Sequence, residues 1–240
     1  MPPDEPELGP GAPPPEPEAA TAPEQEAEVT PAPPPTIPWE DAEIGRLRGL
    51  VRTLGQLLCH PRNFFQNLPR EGWGEALAFG LIVRTAGLLA CLYWQLVFYL
   101  QLGRHLGELS ALARQFVNLG AGIIITVMLL APSIMLLNLA VSSLGLWAAV
   151  LLSGGPQGQF PAIWRLTCYA QGALVAGFLP VLGGPVAGFG TLVLTYQGLR
   201  GVLGFTSGRA LGTLCLSLGL QVLLSLLLLG SLTRFWFFSG

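Results

Sequence analysis

Beyond Glu75 the chain runs in long stretches without an ionisable side chain, and this restricts its fold more than any other feature. Apart from Arg84 there is no charge from Ala76 to Gly103, and then Gln115 to Trp164 is 50 residues without one, Leu166 to Leu199 is 34 and Ala210 to Thr233 is 24. A helix crossing a bilayer needs about 20 apolar residues, and a chain in lipid must satisfy its own backbone hydrogen bonds. Across the sequence 51% of residues are hydrophobic and 11% charged, against roughly 25% charged in a soluble domain. The stretches therefore read as an all-α, polytopic membrane domain.

Turn residues divide the stretches. Pro180-Val181-Leu182-Gly183-Gly184-Pro185 splits the third, and Ser153 to Gln159, with three glycines and Pro156, closes the second. Its apolar part, Leu119 to Leu152, is too long for one straight span and too short for two with a loop, and it reads as one long helix bent at Pro132. Five transmembrane helices are expected, at about 77–102, 119–152, 163–180, 185–203 and 210–232. Spans three and four form a tight antiparallel hairpin.

Charge sets the orientation. All twelve basic residues are Arg, and eleven of the fourteen acids precede residue 44. With the N-terminus inside, Arg46, Arg48, Arg52, Arg62, Arg70, Arg165, Arg200 and Arg209 fall on the inner side and Arg104, Arg114 and Arg234 on the outer. The bias favours a cytoplasmic N-terminus and an external C-terminus.

Before the membrane domain (71–240) lie two further segments. Residues 1–38 hold fourteen of the 21 prolines with Glu and Ala, which reads as a disordered acidic tail. Its acidic start is unlike a secretory signal. Residues 39–70 form a cytoplasmic juxtamembrane segment. There Ile44, Leu47, Val51, Leu54 and Leu58 recur at alternating steps of three and four, the stripe of an amphipathic helix, with Arg48 and Arg52 on one flank. Such a helix suits either the head-group region of an anionic leaflet or a seat on the membrane domain itself. Pro61 should end it.

Little in the inventory points to catalysis. Neither His60 nor His105 lies in a predicted span, and no Asp or Glu does, which argues against an intramembrane enzyme. Cys59, Cys91, Cys168 and Cys215 show neither a metal-ligand nor a redox spacing, and three of them sit in apolar surroundings as small hydrophobes. No cofactor or metal is implied. Arg84 is the one ionised residue within a span: it either snorkels to the head groups or finds an internal partner, or else contacts an anion or lipid head group. The Arg residues follow membrane boundaries rather than forming a stripe with aromatics, so no nucleic-acid binding is expected.

The order of the short motifs resembles the YIP domain (Ypt-interacting protein) family, in its bacterial branch. The resemblance rests on Pro38-Trp39-Glu40-Asp41, then His60-Pro61-Arg62-Asn63-Phe64-Phe65 and Leu68-Pro69. It continues with Gly154-Gly155 followed by Phe160, Tyr169, Leu179-Pro180 with Gly183, and Gly198-Leu199, over residues 38 to about 235. Where the family pattern has a His between the last two spans, this chain has Gly204-Phe205-Thr206-Ser207-Gly208. The resemblance implies five spans with a cytoplasmic N-terminus, no enzyme and no cofactor. Eukaryotic relatives are implicated in binding lipidated Rab-type GTPases, in vesicle traffic and in membrane shaping, whereas bacteria lack prenylated Rab proteins.

The sequence thus reads as a multi-pass protein of a bacterial inner membrane, a scaffold or membrane organiser. Its partners are the lipid bilayer and unknown proteins met through the cytoplasmic N-terminal region, with homo- or hetero-oligomerisation open. The alternative is a small-solute transporter or channel built from Pro-broken helices, with a polar cavity at the bends of Pro132 and Pro180 and Arg84 turned inward.

Overall fold

A computed structural model describes residues 37–69, 72–106 and 111–238. Residues 1–36 of the expected disordered tail lie outside the described residues, as does Arg70, whereas Ile37 and Pro38, expected within that tail, are buried. Among the described residues the structure is helical: α1 (Arg46–Cys59), α2 (Pro61–Gln66), α3 (Trp73–Leu106), α4 (Ala111–Leu152), α5 (Phe160–Ala170), a 3-10 helix (Gln171–Phe178), α6 (Gly183–Leu203) and α7 (Ser207–Phe238).

Local chemistry sets several boundaries. Pro61 has no N–H to extend α1 and instead opens α2 at its first turn, where a missing donor is harmless. The α6 helix stops at Gly204, whose φ of 65° supplies the left-handed cap. By contrast α4 continues through Pro132 for 42 residues, so the expected single long helix is present.

Among the described residues three helices, not five, are long and apolar enough to cross a membrane: Trp73–Gln101, Leu119–Leu152 and Ser207–Leu228. The expected third span is an 11-residue α5 followed by an eight-residue 3-10 helix. The expected fourth, α6, has 21 residues, but Gly, Thr, Gln and Arg200 dilute its apolar run. Length and composition make the correction, and burial accompanies it. From Ala162 to Ala173 every residue except the half-buried Trp164 is buried, because α5 and the 3-10 helix run through the middle of the bundle against α3, α4 and α6. Their apolar residues face protein.

Close backbone approach makes this possible. A Cβ on Gly87 of α3 would lie 2.2 Å from the Leu174 carbonyl oxygen, and one on Gly177 would lie 2.3 Å from the Gly87 carbonyl oxygen. The two helices therefore cross with main chain against main chain.

One end of the bundle gathers the starts of α3, α5 and α7 and the ends of α4 and α6. There Arg165 donates to the Gly72 carbonyl, Arg209 donates to the Ser153 carbonyl at 2.7 and 3.1 Å, and Phe65 of α2 packs on Gly201. At the opposite end Leu179 to Leu182 turn between the 3-10 helix and α6, with Val181 at φ 65° and 89% exposed. That turn and the packing of α6 on the 3-10 helix form the expected hairpin.

Candidate functional site

The first polar centre lies at the Arg-rich end. Arg165 on α5 has no exposed surface, and its Nη2 donates to Glu40 Oε1 at 2.5 Å. Its Nη1 donates to the Gly72 carbonyl at 2.5 Å. Gly72 adopts φ 95°, and a Cβ there would lie 2.6 Å from that nitrogen, so only glycine suits the position. Tyr169, one turn on from Arg165, donates its hydroxyl to the same Glu40 oxygen at 2.6 Å. Two charged or polar groups of one helix thus hold one carboxylate from the segment before α1.

Neighbouring bonds hold the rest of that segment. The Trp39 backbone N–H donates to Thr53 Oγ1 at 3.0 Å, and its indole Nε1–H donates to the Glu75 carbonyl at 2.7 Å. Arg46 pairs with the Glu75 carboxylate at 2.6 and 3.2 Å and lies over the Trp39 ring. Aromatic rings continue the contact inward: Trp39 meets Phe79 edge-on at 6.0 Å, Phe79 meets Tyr169 at 4.9 Å, and Tyr169 meets Phe64 at 5.3 Å.

The second polar centre lies between α3, α4 and the 3-10 helix, with Gln171 buried, Arg84 half-buried and Asn138 exposed. Arg84 is 11 residues into α3, about 16 Å from its start at 1.5 Å per residue. Its Nη1 donates to Gln171 Oε1 at 2.5 Å, its Nη2 to Asn138 Oδ1, and its Nε approaches Met135 Sδ at 3.2 Å. Of the readings for Arg84, the internal partner is the one observed. A cavity of about 240 Å³ adjoins it, lined by Asn138, Ser142, Gln171, Ser217 and Gln221 among others.

Compared with known families, residues 55–229 match the Yip1 domain. The chain belongs to the Yip1 domain family. No curated protein and no solved structure matches it. With this membership and its three apolar helices, the chain is a multi-pass membrane protein.

Within the Yip1 domain the expected motif residues fall into three places. Pro61, Phe64 and Phe65 lie on α2, and the rings of Phe64 and Phe65 are buried. Through the Phe64 contact they meet Tyr169, so these motifs converge with Trp39 and Glu40 on the Arg165 centre. Gly154 and Gly155 lie instead in the α4–α5 turn, where Gly155 packs on Val150 and Phe205 and Gly154 neighbours Arg209. Pro180 and Gly183 are at the far end, Gly183 against Ala176 and Gly177.

Arg48 and Arg52 are exposed on α1. Gly49, Thr53 and Leu57 form the buried face of that helix, and a Cβ on Gly49 would lie 2.5 Å from the Pro38 carbonyl oxygen. Of the two seats expected for the stripe, the membrane domain takes little of it: Leu47 is 81%, Val51 67% and Leu58 47% exposed, and Leu54 leans on the body. Of the four cysteines only Cys168 is buried; Cys59 and Cys215 are exposed.

Sequence position marks Arg165 only as an inner-side charge and Glu40 only as part of a motif, with no link between them. One signal marks Arg165: it is the only charge between Arg114 and Arg200, with Tyr169 four residues on, along one helix face. The cavity beside Arg84 is not at the bends named for a transporter. Neither Pro132 nor Pro180 lines it.

Proposed function

We propose that this Yip1 domain protein is a non-catalytic membrane scaffold. It holds α1 at the cytoplasmic surface of a bacterial inner membrane and presents the N-terminal region to protein partners. The observation that carries this reading is the division of α1 into two faces. Gly49, Thr53 and Leu57 are fastened to the body, while Leu47, Val51 and Leu58 point away with Arg48 and Arg52 beside them. An outward apolar stripe bordered by guanidiniums suits the boundary between acyl chains and anionic head groups.

The orientation follows from the same end of the molecule. Arg46, Arg48, Arg52, Arg62, Arg200 and Arg209 belong to elements gathered there, which favours the cytoplasm for that end. α5 with its 3-10 helix goes down the bundle and α6 returns. The number of crossings is odd whether or not this pair is counted, so the C-terminus is external.

Spin labels test the surface reading. The full chain with Val51→Cys or Gln56→Cys is labelled after replacing the native cysteines and reconstituted in nanodiscs containing phosphatidylglycerol. The label at 51 should be accessible to oxygen and shielded from a water-soluble nickel complex, and the label at 56 should show the opposite. Equal access of the nickel complex to both positions would remove the membrane-surface role.

A further inference from the structure

Arg84 brings to its cavity a positive charge that no carboxylate among the described residues compensates. The ion pairs among the described residues engage Arg46 and Arg165, and Arg84 has no carboxylate partner there. Its hydrogen bonds go to two neutral amide oxygens and a thioether. A cation at this depth without an opposite charge is costly, by several kcal/mol, and amide dipoles offset only part of that cost.

The bonding pattern decides which chemistry remains available. Because Arg84 takes up Asn138 Oδ1 and Gln171 Oε1, both amides must turn their N–H groups elsewhere. Gln171 Nε2 donates once to the Thr167 carbonyl at 2.9 Å, which leaves its second N–H. Ser217 Oγ accepts from Gln221 Nε2 at 2.9 Å, so its own hydrogen is available. The guanidinium keeps two N–H groups beyond its three contacts. The two amide oxygens beside Arg84 are occupied while donors remain, around a full positive charge.

We propose that this cavity is a binding site for a small oxyanion, a phosphate or carboxylate group, seated on Arg84 and the amide N–H groups of Asn138 and Gln171. Its 240 Å³ equals the liquid volume of roughly eight waters, enough for such a group with part of its hydration. The group belongs either to a free solute or to a phospholipid head. This site lies between α3, α4, α6, α7 and the 3-10 helix and is independent of the surface role of α1.

Thermal unfolding of the full chain in dodecyl maltoside tests it. One arm titrates sodium phosphate and sodium acetate against sodium chloride at equal ionic strength; the other adds phosphatidic acid against phosphatidylcholine. A saturable rise in Tm of roughly 2–4 °C is expected in one arm, the first indicating a free solute and the second a lipid. Arg84→Gln should abolish the rise. So should Thr195→Leu, which fills the cavity from α6 and leaves Arg84 intact, and which decides the matter if Arg84→Gln does not fold. No rise in either arm, or a rise that survives both substitutions, overturns the proposal.

Discussion

Arg165 and Glu40 are 125 residues apart in the chain and 2.5 Å apart in space. Because Arg165 is wholly buried and Glu40 only 19% exposed, removing one partner leaves a charge that water cannot reach. Glu40→Gln should therefore lower stability by about 3–5 kcal/mol, read as a loss of Tm in detergent. Trypsin should cut faster after Arg46, Arg48 and Arg52 as the segment loosens. The double substitution Glu40→Leu with Arg165→Leu should cost less than the two singles together, since it leaves no orphaned charge.

The pair Arg46–Glu75 offers a contrast in the same region. Its side chains are 65% and 43% exposed, and water competes with the bridge. Arg46→Gln should leave Tm unchanged within error. Thr53→Val, although it removes a single hydroxyl, should cost about 1–3 kcal/mol, because the buried Trp39 N–H then has no acceptor.

Two glycine substitutions separate packing from propensity. Gly87→Ala forces a methyl against the Leu174 carbonyl, and Gly122→Ala on α4 meets nothing within 4 Å. The first should lower Tm by several degrees or prevent folding; the second should be neutral or stabilise by up to about 1 kcal/mol. Thermal unfolding of both proteins in one detergent measures the difference.

At the far turn Val181 holds a left-handed backbone that a β-branched residue rarely adopts. Such strain costs on the order of 1–3 kcal/mol. Val181→Asn, which tolerates this conformation, should raise stability by about 1 kcal/mol. An unchanged or lower Tm would count against strain at the turn.

Much of the helical architecture was legible in the sequence. The three-and-four spacing predicts a helix at 44–58 and α1 spans Arg46–Cys59, because an apolar stripe at that period fits only the helical pitch. The charge-free runs of α3, α4 and α7 were equally plain. What composition could not separate was a helix facing lipid from a helix facing other apolar helices, and α5 is the second kind. The Arg165 centre was illegible for a related reason: local pattern reports neighbours at three and four residues, and Glu40 arrives from another part of the chain. Arg84 was better marked, as the one ionised residue within an expected span, but its partners Asn138 and Gln171 come from other helices and were not legible.

A single short helix carries both polar centres. Arg165 and Gln171 are six residues apart on α5 and its immediate continuation, about 9 Å along the axis, and every residue between them is buried. Such a segment behaves as a stiff shaft with no slack, because close-packed interiors transmit displacement rather than absorb it. A shift of Gln171 toward or away from Arg84 is therefore also a shift of Arg165 beneath Glu40. The grip on the N-terminal segment and the inner cavity thus share one buried support.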